Sequence, residues 1–186
     1  AIFFNILPLC SGISEAVRHA FFQVASIITT SGFSTVPLNS WPVFSKSLLI
    51  LLMFIGGCAG STAGGLKVSR VMLLAKSVRQ DLKKMIHPRS VTTVHLEGKT
   101  VDSRTLTTAN NYFIIYCFIL VVLTLLLMLL SPEGFDFETN FTAAVSCFNN
   151  IGPGLGPVGP SGNFDCFSWL SKIVLMFDML AGRLEL

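Results

Sequence analysis

Residues 112–130 read YFIIYCFILVVLTLLLMLL, a run without a charge, a glycine or a proline. At about 1.5 Å per residue a helix of this length reaches about 28 Å, close to the hydrocarbon thickness of a bilayer. A soluble core helix of that length normally carries a charged face, and none is present here. The run therefore predicts a transmembrane helix. Composition agrees, because the 186-residue chain is 52% hydrophobic and only 12% charged. Soluble domains carry about twice that charged fraction. Phe (16) and Gly (15) are both abundant, which suits membrane helices that pack closely or break.

The charges flanking this helix orient it. Nine of the thirteen Lys/Arg lie between Lys67 and Arg104, whereas 131–165 has none and instead carries Glu133, Asp136, Glu138 and Asp165. The positive-inside rule places 67–104 in the cytoplasm and 131–165 outside. A basic stretch between two membrane segments is a poor candidate for nucleic-acid binding, so no nucleic-acid partner is expected. Two further apolar runs are interrupted. The run 42–66 is broken by glycines after Ile55, and 164–186 is interrupted by Lys172, Asp178 and Arg183. Such spans are tolerated where they line a cavity or pack inside a bundle. The chain starts without Met, is apolar at both ends and shows no signal-peptide pattern, which reads as a fragment of a longer protein.

An internal repeat emerges around two glycines. With Gly32 placed on Gly152, an offset of 120, Phe21 falls on Phe141 and Ser26 on Ser146. Past the loops the offset becomes 126, and Ser45-Lys46 falls on Ser171-Lys172, Leu49 on Leu175, Met53 on Met179 and Gly56 on Gly182. Each copy is a short apolar segment, a glycine-containing polar loop, then an aromatic and Ser-Lys leading into an apolar helix. One cytoplasmic stretch and one full span separate the copies, so they run in the same direction. The short segments, 14–29 and 139–149, are marginal or too short to span. An interfacial amphipathic helix is the alternative for either one alone. Their recurrence favours re-entrant half-helices.

The loops read Thr30-Ser31-Gly32-Phe33-Ser34 and Asn150-Ile151-Gly152-Pro153-Gly154. Both are similar to the Thr-Val-Gly-Tyr-Gly filter of potassium channels. Such a filter turns backbone carbonyls inward to replace the ion's hydration shell. Glycine permits the dihedrals this requires, and the C-terminal end of a half-helix, with about half a negative charge, favours a cation. Glu15 and Glu138 lie near the opposite helix ends, where negative charge is also favourable, and the acidic outer segment concentrates cations at the mouth.

Residues 56–67 read Gly-Gly-Cys-Ala-Gly-Ser-Thr-Ala-Gly-Gly-Leu-Lys. Leu66 stands where a phosphate-binding loop needs Lys, and an apolar helix precedes instead of a strand, so nucleotide binding is excluded. Gly56, Gly60 and Gly64 form GxxxG pairs, so close helix packing remains one reading. So many glycines hold a helix poorly, each costing about 1 kcal/mol relative to Ala. That favours the other reading, a mobile intramembrane loop below the filter. Asp178, Arg183 and Glu185 are ionisable residues in or near the last apolar run, functional by default in a membrane. Arg183 either faces the pore or snorkels to the interface. In the repeat register it matches Gly57, the start of the glycine-rich loop. The five Cys and three His show no metal-ligand or disulfide spacing. No catalytic constellation is present, so an enzyme is not expected.

Three motifs carry a resemblance to a known family. Residues 54–67, from Phe54-Ile55 through the glycine-rich loop to Lys67, resemble the broken third-repeat helix of the Trk/Ktr/HKT superfamily of potassium transporters, in its TrkH-type branch. Residues 149–156 are similar to that family's fourth filter, and 180–185 to its final pore helix. The resemblance covers nearly the whole chain. It implies an all-α membrane protein of four helix–pore loop–helix units around a central ion pathway, potassium-channel-like and pseudo-fourfold. This fragment would hold two of them: the third over 1–66, a cytoplasmic basic connector over 67–104, and the fourth over 105–186. The implied substrate is potassium, held by filter carbonyls of Thr30, Ser31, Gly32, Phe33, Asn150, Ile151, Gly152 and Pro153. No covalent cofactor is implied. The implied gate comprises Gly57, Gly60, Ser61, Thr62, Gly64, Gly65 and Arg183. A homodimer in the bacterial inner membrane, bound to a cytoplasmic nucleotide-binding regulatory subunit of the TrkA kind, is also implied. Ser34 departs from the pattern, because Gly154 supplies a second filter glycine only in the other loop, so looser selectivity is expected. A symmetric channel of separate subunits would show near-identical loops. A membrane-embedded enzyme or receptor would show a working constellation in 67–104.

Overall fold

The computed structural model describes residues 1–58, 60–61, 63–87, 95–96, 99–131 and 134–183. Helices dominate: α1 (Ile2–Ile6), α2 (Ile13–Ile28), α3 (Val43–Met53), α4 (Val68–Ile86), α5 (Ser103–Leu130), α6 (Phe137–Phe148) and α7 (Trp169–Arg183). Two short strand pairs and four single-turn 3-10 helices complete the described elements. β1 (Ile55–Gly56) runs parallel to β2 (Leu66–Lys67), and β3 (His95–Leu96) antiparallel to β4 (Lys99–Thr100). Residues 91–94 and 97–98, which flank the strands of the second pair, lie outside the described residues.

Within α5, Arg104–Leu130 has a mean hydropathy of 3.1 in its most apolar window and is long enough to cross a membrane. Phe118, Leu125 and Leu129 point outward, which suits a lipid solvent better than water. On the opposite face Tyr116, Leu120, Leu123 and Leu127 are buried, and α5 packs there against α6 and α7. The α6 helix is enclosed almost completely, with Thr139 and Asn140 and then 142–148 all buried. In the first copy α2 packs on α1 and α3. Glu15, in the first turn of α2, accepts a hydrogen bond from Ser11 N (2.9 Å), satisfying an N–H ahead of the helix where negative charge is favourable.

The two copies are stitched alike. Ser45 Oγ on α3 donates to Asn5 Oδ1 on α1 (2.8 Å), and Ser171 Oγ on α7 donates to Leu130 O at the end of α5 (3.0 Å). These two serines are the pair that the sequence register matches. Each fully buried hydroxyl ties the helix after the loop to the helix before it.

Two expectations change in detail, while the helix expected after Ser171-Lys172 is α7, continuous through Lys172, Asp178 and Arg183. The helix beginning near Pro42 stops at Met53 rather than Ile55, because Phe54 O, Ile55 and Gly56 turn to pair with 66–67. The connector begins as a helix, α4, whose Leu73 and Ser77 are buried and which packs on α5. Its expected far boundary at residue 104 falls inside α5.

Candidate functional site: paired pore loops over a glycine-rich loop

Each short helix runs into a loop with the same hydrogen-bond pattern. In the first copy Thr30 N donates to Ile27 O (3.0 Å) and Ser31 N to Ser26 O (3.0 Å). In the second, Asn150 N donates to Cys147 O (3.0 Å) and Ile151 N to Ser146 O (2.9 Å). Every partner is shifted by 120 residues, the register read from the sequence. Backbone dihedrals repeat too: φ is 52° at Thr30 and 53° at Asn150, then 72° at Gly32 and 113° at Gly152. Asn tolerates the left-handed region, but a β-branched Thr there is strained, and such strain clusters at functional sites. Sequence reading placed the unusual dihedrals at the glycines and missed the residues two before them.

The N–H groups of Thr30, Ser31, Gly32, Asn150 and Ile151 turn back to the helices, and most of the loop carbonyls do not. Among the described residues the carbonyls of Thr30, Ser31, Gly32, Asn150, Ile151, Gly152 and Pro153 accept no hydrogen bond. Phe33 differs: its carbonyl accepts a hydrogen bond from Ser26 Oγ on α2 (2.6 Å). A side-chain bond from Gln23 to Ser34 Oγ and another between His19 Nδ1 and Thr35 Oγ1 (3.1 Å) hold the rest of that loop. The second loop is held differently, through Leu155 N to Thr142 Oγ1 (2.9 Å). This is where the glycine-to-serine difference at position 34 is expressed.

The loops meet. A Cβ on Gly32 would collide with Ile151 O and Pro153, so glycine is required there by contact as well as by φ. Above them a cavity of about 450 Å³ is lined by Phe33, Ser34, Gly152, Pro153, Val158 and Phe164, among others. The outer segments are joined by Asn39, bonded to the backbone of Gly156 in both directions, and by Lys46 Nζ lying 3.6 Å from Glu138 Oε1.

Beneath the second loop sits the glycine-rich stretch. β1 and β2 close its base, and its chain folds up so that a Cβ on Gly64 would overlap Asn149 O, and one on Gly65 would crowd Asn149 Oδ1. Gly57 leaves room only for Ser61 and Ala63, and Gly60 adopts φ 81°. Thr62 lies outside the described residues. A small cavity of about 150 Å³ brings Ser61, Gly64, Gly65 and Lys67 together with Gly182 and Arg183, so Arg183 and the loop share one space, as their sequence register suggests. Lys67, which closes the glycine-rich run in the sequence, is tied to the loop backbone. Lys67, 5% exposed, donates from Nζ to Ser61 O (2.6 Å) and Ala63 O (2.9 Å). The signal available was a lysine closing a run of bare backbone, since an ammonium offers three donors and loops of glycine offer carbonyls.

Asp178 is 1% exposed, and neither carboxylate oxygen has a hydrogen-bond partner among the described residues. It faces inward from α7 and does not line the loop cavity, whereas Arg183 does. Glu185 lies outside the described residues.

An apolar spanning helix, two half-helices ending in parallel loops and a glycine-broken helix define a membrane protein built from repeated pore-loop units. The chain belongs to the TrkH family, described as cation transport proteins, whose match covers residues 10–186. It is 40% identical over 169 residues to the Trk system potassium uptake protein TrkH of Escherichia coli K12, covering 91% of this chain and 34% of that protein. It is 33% identical over 168 residues to TrkG of the same organism, covering 90% and 34%. A crystal structure of the potassium transporter TrkH from Vibrio parahaemolyticus superposes with a TM-score of 0.85 at 38% identity, covering 99% of this chain and 39% of that one. The chain thus spans about a third of the length of the curated relatives it matches. It is an integral membrane protein of a transport family.

Proposed function

We propose that this chain forms half of a potassium pathway, with 1–66 and 105–186 as two helix–pore loop–helix repeats and 67–104 as the cytoplasmic connector. The observation that carries the reading is the pair of loops with one hydrogen-bond pattern and carbonyls that accept no hydrogen bond among the described residues. Carbonyls of Thr30, Ser31, Gly32, Asn150, Ile151, Gly152 and Pro153 replace water around the ion. The glycine-rich loop from Gly57 to Gly65, with Arg183 in the same cavity, closes the pathway below. The names of the relatives support potassium as the ion. Their bacterial origin supports an inner-membrane location. The basic connector is the docking region for a cytoplasmic nucleotide-binding regulatory subunit, and the full protein works as a homodimer.

Gly152→Ser in the full-length protein tests this. A side chain at φ 113° moves the backbone, so potassium uptake should lose several-fold in selectivity over sodium in a strain lacking other potassium transporters. Unchanged selectivity at normal expression would remove the filter assignment.

A further inference from the structure

Asn149 is fully buried at the end of α6, one residue before the left-handed Asn150. Two separate elements converge on it. Its backbone carbonyl lies against Gly64, and its Oδ1 lies beside Gly65, both in the glycine-rich loop. The same Oδ1 accepts a hydrogen bond from Tyr116 Oη on α5 (2.7 Å). Tyr116 is itself 3% exposed and packed on Phe148, with ring centroids 4.9 Å apart.

One helical turn before Tyr116 is Tyr112, its ring centroid 6.4 Å away. The guanidinium of Arg70 on α4 lies over the Tyr112 ring, 4.1 Å from its centroid. Thus α4 reaches Asn149 by two routes. The first runs from Lys67, at the head of α4, through the carbonyls of Ser61 and Ala63 to Gly64. The second runs from Arg70 through Tyr112 and Tyr116 to the carboxamide. Arg70 and Lys67 lie within one turn of each other, so any tilt of α4 displaces both.

We propose that Asn149 is a positioning residue that couples the cytoplasmic helix α4 to the second pore loop. This rests on the potassium-pathway reading. When α4 shifts, the loop moves against the Asn149 carbonyl while Tyr116 shifts against its carboxamide. The peptide that leads into Asn150 and Ile151 is then re-aimed, so the loop and the filter respond together. Packed contacts of this kind have coupling that must be measured, and double-mutant cycles measure it.

The experiment uses the purified full-length protein in liposomes, with potassium and sodium fluxes read for Tyr116→Phe, Arg70→Gln, Asn149→Ala and the double variants. Tyr116→Phe should lower the potassium-to-sodium flux ratio by about fivefold, the factor for one lost hydrogen bond, with total flux nearly retained. It should have no further effect when Asn149 is already Ala. Arg70→Gln should lower the ratio in the parent but not in Tyr116→Phe. Additive effects in either cycle overturn the proposal. If Asn149→Ala does not assemble, Tyr116→Phe decides alone, because it removes a single oxygen atom: an unchanged ratio overturns the coupling. A parent protein that carries no potassium overturns the pathway reading instead. A selective parent with unaffected variants overturns only the role of Asn149.

Discussion

Asn39 grips the backbone of Gly156 from across the repeat boundary: Nδ2 donates to Gly156 O at 2.9 Å, and Oδ1 accepts from Gly156 N at 2.9 Å. The two residues are 117 positions apart in sequence. Asn39 follows the first pore loop and Gly156 follows the second, so this carboxamide fixes the spacing of the two loops at the outer mouth. Asn39→Ala should lower the melting temperature by a few degrees, since an intramolecular hydrogen bond contributes about 1 kcal/mol and this one is solvent-exposed. Asn39→Asp should be worse in selectivity than Asn39→Ala. A carboxylate keeps the bond from Gly156 N but sets its second oxygen against Gly156 O. Equal fluxes and melting temperatures for all three proteins would show that the outer loops hold their spacing without it.

Gly64→Ala should release the loop. The added methyl would overlap Asn149 O, a backbone atom at the end of a buried helix that has no room to retreat. The loop must move instead, so flux in liposomes should rise without any partner protein. Gly60→Ala is the control at a site where a Cβ meets nothing, though φ 81° strains it. It should perturb the loop locally and raise flux less. A Gly64→Ala protein as closed as the parent would place the loop's resting contact elsewhere.

At the outer surface, Lys172 Nζ donates to Asp165 Oδ1 at 2.7 Å, and this bond holds the Asp165 carboxyl below its ordinary range. Because the folded value is depressed, the contribution is present above the unfolded value and is lost as pH falls through the folded one. The pair should therefore make no change in melting temperature across neutral pH and should weaken only below about pH 4. Both groups are exposed and salt-screened, so Lys172→Met should have a small effect at neutral pH, measured by thermal unfolding in detergent. A large loss at pH 7 would mean that the pair organises the outer loop beyond its own bond.

What was legible follows from which constraints are local. A spanning helix must be apolar along its whole length, so 112–130 announced α5. A pore loop needs a half-helix, left-handed backbone and close approach, so Gly32 and Gly152 announced both loops, and the offset of 120 between them is also the offset between their hydrogen-bond partners. The Asn39–Gly156 bond was illegible, because an asparagine among Pro37, Asn39 and Ser40 reads as an ordinary turn and its partner is remote. Helix α4 lies in a run read mainly for its charge, so its packing face at Leu73 and Ser77 stayed unread. The parallel pairing of 55–56 with 66–67 carries no alternation at two residues per strand, so nothing in the sequence marks it. Arg183 was placed beside the loop by register, yet the register gave no reason to expect Lys67 there as well.

The last prediction concerns those two cations. Lys67 bonds the carbonyls of Ser61 and Ala63 from the head of α4, and Arg183 lines the same cavity from the end of α7. An ammonium seated on these backbone carbonyls stitches the loop and, in the proposed pathway, would repel an arriving cation. Lys67→Met keeps the apolar stem and removes the donors, and it should raise flux without the partner. Arg183→Ala should also raise it, by removing charge and bulk from the cavity. The two should differ in response to the partner. Lys67 joins the loop to α4, so Lys67→Met should lose most of the partner's control, whereas Arg183→Ala should raise the baseline and keep that control. Flux in liposomes, with and without the cytoplasmic partner, measures both quantities. If Lys67→Met responds to the partner as the parent does, α4 does not act on the loop through this lysine.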